Sequence, residues 1–262
     1  TPTAGLCATI NSLTINVIDP VTKNETYFIC IDAAGNPTTS ATINTNLSSP
    51  QYSFAWFLDS NPIANTADFY LATQPGIYTV EATNTLTGCV TNTIIAEVKG
   101  VLPATATAQL SNDFADAQQI VVTVVGGLGS YEYQLNGGAY QTSNVFSIYE
   151  GGAYTIHVKD NLGCNDFTLT VTALNYPKFF TPNNDGYHDF WNIEGLTTAN
   201  KAEIYIFDRY GKLLKQISPL GQGWDGTYNG TAMPGTDYWF KLLYTDKNSI
   251  RKEFNSHFAL KR

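Results

Sequence analysis

Tyr238-Trp-Phe-Lys-Leu-Leu-Tyr-Thr-Asp-Lys-Asn-Ser-Ile-Arg-Lys-Glu-Phe-Asn-Ser-His-Phe-Ala-Leu260 decides the fold class. Tyr238, Phe240, Leu242 and Tyr244 fall at every second position, so in an extended strand they share one face. Asp246-Lys-Asn-Ser249 is a turn signal, and Lys252–Leu260 reads as the returning strand of a hairpin. Just upstream, Ala202–Asp208 and Lys212–Ile217 form a second hairpin with Gly211 in its turn, and Asp225-Gly226 and Asn229-Gly230 mark two more turns. Residues 175–262 therefore read as a β module with no helix-period segment.

The same periodicity runs through the rest of the 262 residues. Residues 1–100 offer strands at Leu13–Ile18, Thr26–Ile31, Tyr52–Leu58, Gly76–Ala82 and Thr93–Val98. Turns at Ala34-Gly35-Asn36-Pro37, Ser60-Asn61-Pro62 and Gln74-Pro75-Gly76 separate them. The order Cys30, Trp56, Gly76-Ile-Tyr-Thr-Val80, Cys89 resembles an immunoglobulin-like arrangement, with Trp56 as a core residue. Residues 101–174 are a shorter module, with strands at Ala104–Leu110, Ile120–Val125, Tyr131–Leu135, Val145–Ile148, Ala153–Lys159 and Phe167–Thr172. Gly76-Ile-Tyr-Thr-Val-Glu-Ala and Gly152-Ala-Tyr-Thr-Ile-His-Val echo one another, each leading to a turn and a Cys, as in a tandem array. His157 falls on the solvent side of its strand. The expected fold is all-β: three tandem Ig-like β-sandwich modules, 1–100, 101–174 and 175–262, in an elongated array with short linkers.

Composition narrows the function. Charged residues make up only 14% of the chain, and no run of apolar residues is long enough to span a membrane. Residues 1–100 hold two basic against seven acidic residues, and residues 101–174 one against six, giving −5 in each. Residues 175–262 hold eleven against nine, giving +2. Nucleic-acid binding needs clustered Lys and Arg and is not expected. Thr1 carries neither an initiator Met nor a signal-peptide pattern, so a mature or C-terminal piece of a longer protein is expected. None of Cys7, Cys30, Cys89 and Cys164 forms a CxxC. Cys30 and Cys89 lie near the two ends of one module and are expected to pair, a crosslink worth roughly 4 kcal/mol and a sign of an oxidising compartment. No partner is assigned to Cys7 or Cys164.

A family resemblance rests on the last module. Phe180–Trp191 (Phe-Thr-Pro-Asn-Asn-Asp-Gly-Tyr-His-Asp-Phe-Trp) resembles the FTPNGDGxND opening of the type B, gliding-motility-associated C-terminal domain of type IX secretion cargo. Ile204–Leu214, Gly223–Gly230, Pro234–Phe240 and His257–Arg262 are similar to that family's later motifs, in order. Asn184, His188 and Ser256 stand where the family has Gly, Asn and Gly. The repeat around residues 152–164 resembles the SprB-type repeat of Bacteroidetes surface adhesins. The resemblance implies an exported, cell-surface or extracellular adhesin of the gliding type, whose last module is the sorting signal. It implies as partners the type IX translocon and an outer-membrane PorP/SprF-type protein. The recognition residues expected are Thr181, Pro182, Asn183, Asp185, Gly186, Asp189, Asp208, Arg209, Gly211, His257, Phe258, Lys261 and Arg262. The competing reading makes the same motifs fold determinants.

Other chemistry finds little support. Gly221-Gln-Gly-Trp-Asp-Gly226 matches GxGxxG but neither follows a buried strand nor opens a helix. Asn183, Asp185 and Asp189 form a calcium candidate that lacks the first and last ligands of an EF-hand, and an Asx-rich turn is the competing reading. With no GxSxG or HExxH motif, neither enzymatic activity nor a cofactor is expected. The alternative function is carbohydrate binding through Trp224, Tyr228, Tyr238 and Trp239, as modules of a secreted polysaccharide-processing protein.

Overall fold

Alternating β-branched and aromatic residues form strands wherever Gly, Pro, Asn and Asp do not interrupt them. The computed structural model describes residues 21–262. Cys7 and the strand expected at Leu13–Ile18 lie outside the described residues. The chain divides into two units, the first ending at Pro103 and the second running from Ala104 to Arg262.

The first unit contains β1 (Val21–Cys30), β2 (Ala41–Asn44), β3 (Tyr52–Leu58), β4 (Asn61–Ile63), β5 (Phe69–Ala72), β6 (Gly76–Asn84) and β7 (Val90–Val101). One sheet has the order β1-β7-β6-β3-β4, and a second pairs β2 with β5. β1 lies parallel to β7, while the other pairs are antiparallel. Phe54, Trp56, Tyr78, Val80 and Ile94 fill the core with Ile29 and Ile43. Trp56 is a core residue, as expected: its indole N–H donates to the Ala67 carbonyl at 2.9 Å, and its ring lies 5.6 Å from Tyr70.

The expected Cys30–Cys89 disulfide is not formed. Cys89 is free and exposed, whereas Cys30 and Cys164 are both disulfide-bonded. Strand register explains the error. Cys30 lies opposite Val101, the last residue of β7, while Cys89 precedes Val90, the first. At about 3.3 Å per residue, β7 holds these ends roughly 35 Å apart. A disulfide needs Cα atoms within about 7 Å. Trp56 therefore packs in a core that no Cys30–Cys89 bridge crosses.

The second unit contains β8 (Ala104–Leu110), β9 (Gln118–Gly126), β10 (Tyr131–Leu135), β11 (Val145–Ile148), β12 (Gly152–Asp160) and β13 (Asp166–Ala173). These form two three-stranded sheets, β10-β12-β13 and β11-β9-β8, around Ile120, Val122, Phe146, Ile156 and Val158. His157 is half-buried on the outer side of β12, hydrogen-bonded to Tyr140 and paired with Asp166. It is more enclosed than its strand position suggested.

The remaining strands are β14 (Phe179–Phe180), β15 (Glu203–Phe207), β16 (Leu213–Ile217), β17 (Thr227–Tyr228), β18 (Thr231–Ala232), β19 (Asp237–Thr245) and β20 (Arg251–Leu260). Five of them build one sheet, ordered β14-β20-β19-β15-β16, while β17 and β18 form a small hairpin. Tyr238, Phe240, Leu242 and Tyr244 all face the core, as their alternation required. Trp191 stacks on Phe258 at 3.8 Å with an interplanar angle of 13°, and Phe180, Trp224 and Phe240 surround the pair.

A small maleimide should label Cys89 in the unreduced native chain and leave Cys30 and Cys164 unlabelled until a reductant is added. Cys89→Ser should shift stability by no more than about 0.5 kcal/mol, as a surface substitution does. A loss near the ~4 kcal/mol of a crosslink would restore the disulfide assignment.

Candidate recognition surface

The Thr181–Asp189 loop is built around one carboxylate. Asp189 Oδ1 accepts the backbone N–H groups of Asn183 and Asn184 at 3.0 and 2.6 Å, and its Oδ2 accepts that of Gly186 at 2.8 Å. Asp185 receives the Tyr187 N–H on Oδ1 at 2.8 Å and the Asn183 amide on Oδ2 at 2.8 Å. The Thr181 N–H donates to the His188 carbonyl at 2.7 Å and closes the loop. Asn184 and His188 adopt left-handed φ values of 62° and 52°. Asn184 thus takes a conformation that Gly would take freely and that Asn tolerates better than most residues.

This arrangement answers the calcium question in chemical terms. The oxygens of Asn183, Asp185 and Asp189 point at N–H donors from their own loop. A site lined by converging donors suits an anion, and here the anion is the Asp189 side chain itself. The three calcium candidates hold the loop rather than an open cation cage.

The hairpin tip between β15 and β16 repeats the device. Asp208 Oδ1 accepts the N–H groups of Tyr210 and Lys212, both at 2.9 Å, and Gly211 turns the chain at φ 81°. Arg209 reaches across to Thr236 Oγ1 at 2.6 Å. At the chain's end, the Lys261 ammonium sits 4.1 Å above the Phe179 ring, and Arg262 donates to the Met233 and Gly226 carbonyls at 3.1 and 3.3 Å. Gly226 has φ 76°, and a Cβ there would come within 2.8 Å of Leu260 and 3.2 Å of Pro182. Only glycine lets these segments close together.

Strand register brings the expected residues to one place. Phe180 pairs with Leu260, Asp237 with Ala259 and Phe207 with Trp239. The loop after β14, the tip after β15 and the residues after β20 therefore leave the sheet at the same end. Thr181, Pro182, Asn183, Asp185, Gly186, Asp189, Asp208, Arg209, Gly211, Lys261 and Arg262 converge there. His257 lies beside them on the outer face, opposite Trp239 with ring centroids 6.1 Å apart.

Phe258 does not belong to this surface. It is 1% exposed and forms the centre of the core, so no partner reaches it. Two of the four carbohydrate candidates fail for the same reason: Trp224 is 0% and Tyr238 1% exposed. The Trp224 N–H donates to the Thr227 carbonyl and the Tyr238 hydroxyl to the Pro234 carbonyl, each at 2.8 Å. Tyr228 is half-buried beneath the Lys212 ammonium, which leaves Trp239 as an open ring. Two aromatics that the sequence reading did not single out, Tyr187 and Tyr210, stand exposed at the tips of the Asp189 and Asp208 loops. Their place between Asp and Gly or His in a turn was the available signal.

Residues 174–258 match the family model described as CHU_C Type IX secretion signal domain. A search of curated proteins finds no match. Among solved structures, the three N-terminal domains of the bacteriophage RB49 Highly Immunogenic Outer Capsid protein are similar at 13% identity and TM-score 0.32, over 85% of this chain and 98% of that one. Sidekick-1 immunoglobulin domains 1–5 align at 10% identity and TM-score 0.25, over 93% of this chain and 60% of that one. The Bacteroides ovatus mixed-linkage glucan utilization locus protein SGBP-B, in complex with a mixed-linkage heptasaccharide, aligns at 10% and TM-score 0.21, over 98% and 69%.

Asp189→Ala should open the 181–189 loop and cost about 1–2 kcal/mol, the value of lost cap-type hydrogen bonds. Limited proteolysis would detect the new cleavage there. Phe258→Ala should cost about 3–5 kcal/mol and His257→Ala within about 0.5, measured by thermal unfolding. Comparable losses for the two would overturn the assignment of opposite faces.

The loop carboxylates also set a pH window. The Asn183 amide and then the Tyr187 N–H hold Asp185 below the usual carboxylate value, and the Ile250 N–H and Lys252 do so for Asp246. At Asp225 burial pushes upward, but the Thr227 hydroxyl and N–H outweigh it and the net shift is downward. Groups with depressed folded values stabilise above the unfolded value of about 4 and lose that contribution as pH falls through the lower folded one. The amide resonances of Tyr187, Thr227 and Ile250 should therefore titrate only below about pH 4. Midpoints clearly above that value would contradict the assignment.

Proposed function

We propose that this chain is type IX secretion cargo and that its last module is read as a folded surface. The match of residues 174–258 to a type IX secretion signal domain carries the proposal, since such a signal implies recognition by the type IX machinery and export across the outer membrane. The geometry supplies the surface. Three segments far apart in sequence meet at one end of the β14-β20-β19-β15-β16 sheet, each held by side chains bonded to backbone. Arg209, Lys261 and Arg262 are exposed at that end, as are the rings of Tyr187 and Tyr210. Among the described residues no helix is long and apolar enough to cross a membrane. The partner in this reading is an outer-membrane protein of the PorP/SprF type, and the upstream β modules serve as the stalk of a gliding-type surface adhesin. No catalytic step, cofactor or nucleic acid enters the reading. Carbohydrate binding would have to rest on Trp239, and retardation of the chain on a glycan matrix would speak for it.

The test uses the whole chain behind a periplasmic leader in a type IX-competent Bacteroidetes host. The chain should appear outside the cell only when both the translocon and the PorP/SprF-type partner are present. Replacing Arg209, Lys261 and Arg262 together by Ala should reduce export by about tenfold or more, equivalent to ~1.4 kcal/mol of lost recognition, while thermal unfolding still reports a cooperatively folded chain despite the lost Arg209 and Arg262 hydrogen bonds. Translocon-independent appearance outside, or a folded wild-type chain retained in the periplasm, would sink the proposal.

A further inference from the structure

The core of the signal module contains one side chain from upstream of the matched residues 174–258: Phe114, on the loop between β8 and β9. Phe114 is 7% exposed. Its ring stacks on Phe254 of β20 at 4.2 Å and 13°, and meets Tyr244 of β19 edge-on at 5.8 Å and 87°. Next to it, Asp113 Oδ2 accepts the Tyr244 hydroxyl at 3.3 Å. The Phe114 backbone has φ 63°, a region that a bulky side chain occupies only when its surroundings hold it there. Its N–H donates to the Leu174 carbonyl at 3.0 Å, and the buried Gln118 amide donates to the same oxygen at 2.8 Å.

The backbones on the two sides of this contact approach too closely for ordinary residues. A Cβ on Gly195 would lie 2.0 Å from the Ala173 carbonyl oxygen, and one on Gly151 would lie 2.5 Å from the Glu194 Cβ. The Gly151 N–H donates to the Glu194 carboxylate at 2.8 Å, and the Asn175 amide to the Tyr149 carbonyl at 2.7 Å. Fitted backbone, a ring inserted between aromatic neighbours and a strained φ at the inserted residue mark a built junction rather than a linker.

From this we infer that the export signal is completed by the upstream module: Phe114 is a positioning residue of the signal, and the signal surface is fully ordered only when residues 104–173 have folded. The inference rests on the export reading above. Phe114 touches the Tyr244 and Phe254 half of the β19–β20 hairpin, away from the end where the recognition loops leave the sheet. It therefore acts through hairpin order and not by meeting the partner. The signal thereby reports the folding state of its neighbour before export.

The experiment compares the full-length wild-type chain with Phe114→Ala and Phe114→Leu. Hydrogen exchange of β19 and β20 is measured on purified chain, and the exported fraction is measured in the type IX-competent host. In Phe114→Ala, exchange over Leu242–Phe254 should accelerate about tenfold or more, and export should fall while the periplasmic level of intact chain holds. Phe114→Leu should restore part of both. Unchanged exchange in Phe114→Ala overturns the inference, as does faster exchange with export at the wild-type level. If the wild-type chain itself is not exported, the underlying export reading fails, an outcome separate from an exported Phe114→Ala.

Discussion

The stack of Trp191 on Phe258 is the contact on which the last module depends. Trp191 lies just past the Asn- and Asp-rich loop, and Phe258 sits four residues before the final one. Their contact therefore ties the first and last segments of the module together. The Trp191 indole donates to the Pro177 carbonyl, and its backbone exchanges hydrogen bonds with Trp224 at 2.9 Å each way. Gly223 is forced by the same contact, because a Cβ there would lie 2.5 Å from the Trp191 carbonyl oxygen. Aromatic pairs of this kind add roughly 0.5–1.5 kcal/mol beyond their buried area, and this core chains several of them.

With the core set, the loops need little else. Asp189, Asp208, Asp225 and Asp246 each turn a side-chain carboxylate back onto nearby N–H groups. A carboxylate that accepts two or three such bonds replaces the missing ladder partners of a turn and fixes its backbone. The motifs of the module are thus turn determinants and, by position, also its surface. Holding the loop and displaying it are one property of the same residues, so the two readings of these motifs do not compete.

Much of this was legible in the sequence. Tyr52–Leu58, Ala104–Leu110, Tyr131–Leu135 and Val145–Ile148 have the strand bounds that alternation and turn residues implied. Alternation also placed Tyr238 and Phe240 in the core. Applied to β20, the same argument buries Phe258 and exposes His257, whereas motif membership had put both on the surface. The short strands β2, β4 and β5 escaped because three or four residues carry too little period to stand out from Asn- and Thr-rich loops. The Cys30–Cys89 pairing failed because sequence order says nothing about register: the parallel β1–β7 pairing sends the two thiols to opposite ends of one strand. Phe114 escaped for a further reason. A lone Phe in Ser-Asn-Asp-Phe-Ala-Asp has no periodicity, and its role exists only in the tertiary contact with Phe254.

That tertiary contact bears on the kind of signal the export reading requires. A linear sorting peptide works as well in an unfolded chain as in a folded one. Here Asp189, Asp208 and Arg262 come together only through the register of β14, β15, β19 and β20. The far half of the β19–β20 hairpin carries Tyr244 and Phe254, which close over Phe114 and Tyr176. Unfolding the second module would therefore remove an aromatic ring from a packed core, a loss of the kind that loosens neighbouring strands before it unfolds them. The surface at one end of the sheet and the junction at the other are two ends of the same two strands. Order passes between them through the aromatic side chains along β19 and β20, from Tyr244 and Phe254 through Phe240 to Tyr238 and Phe258.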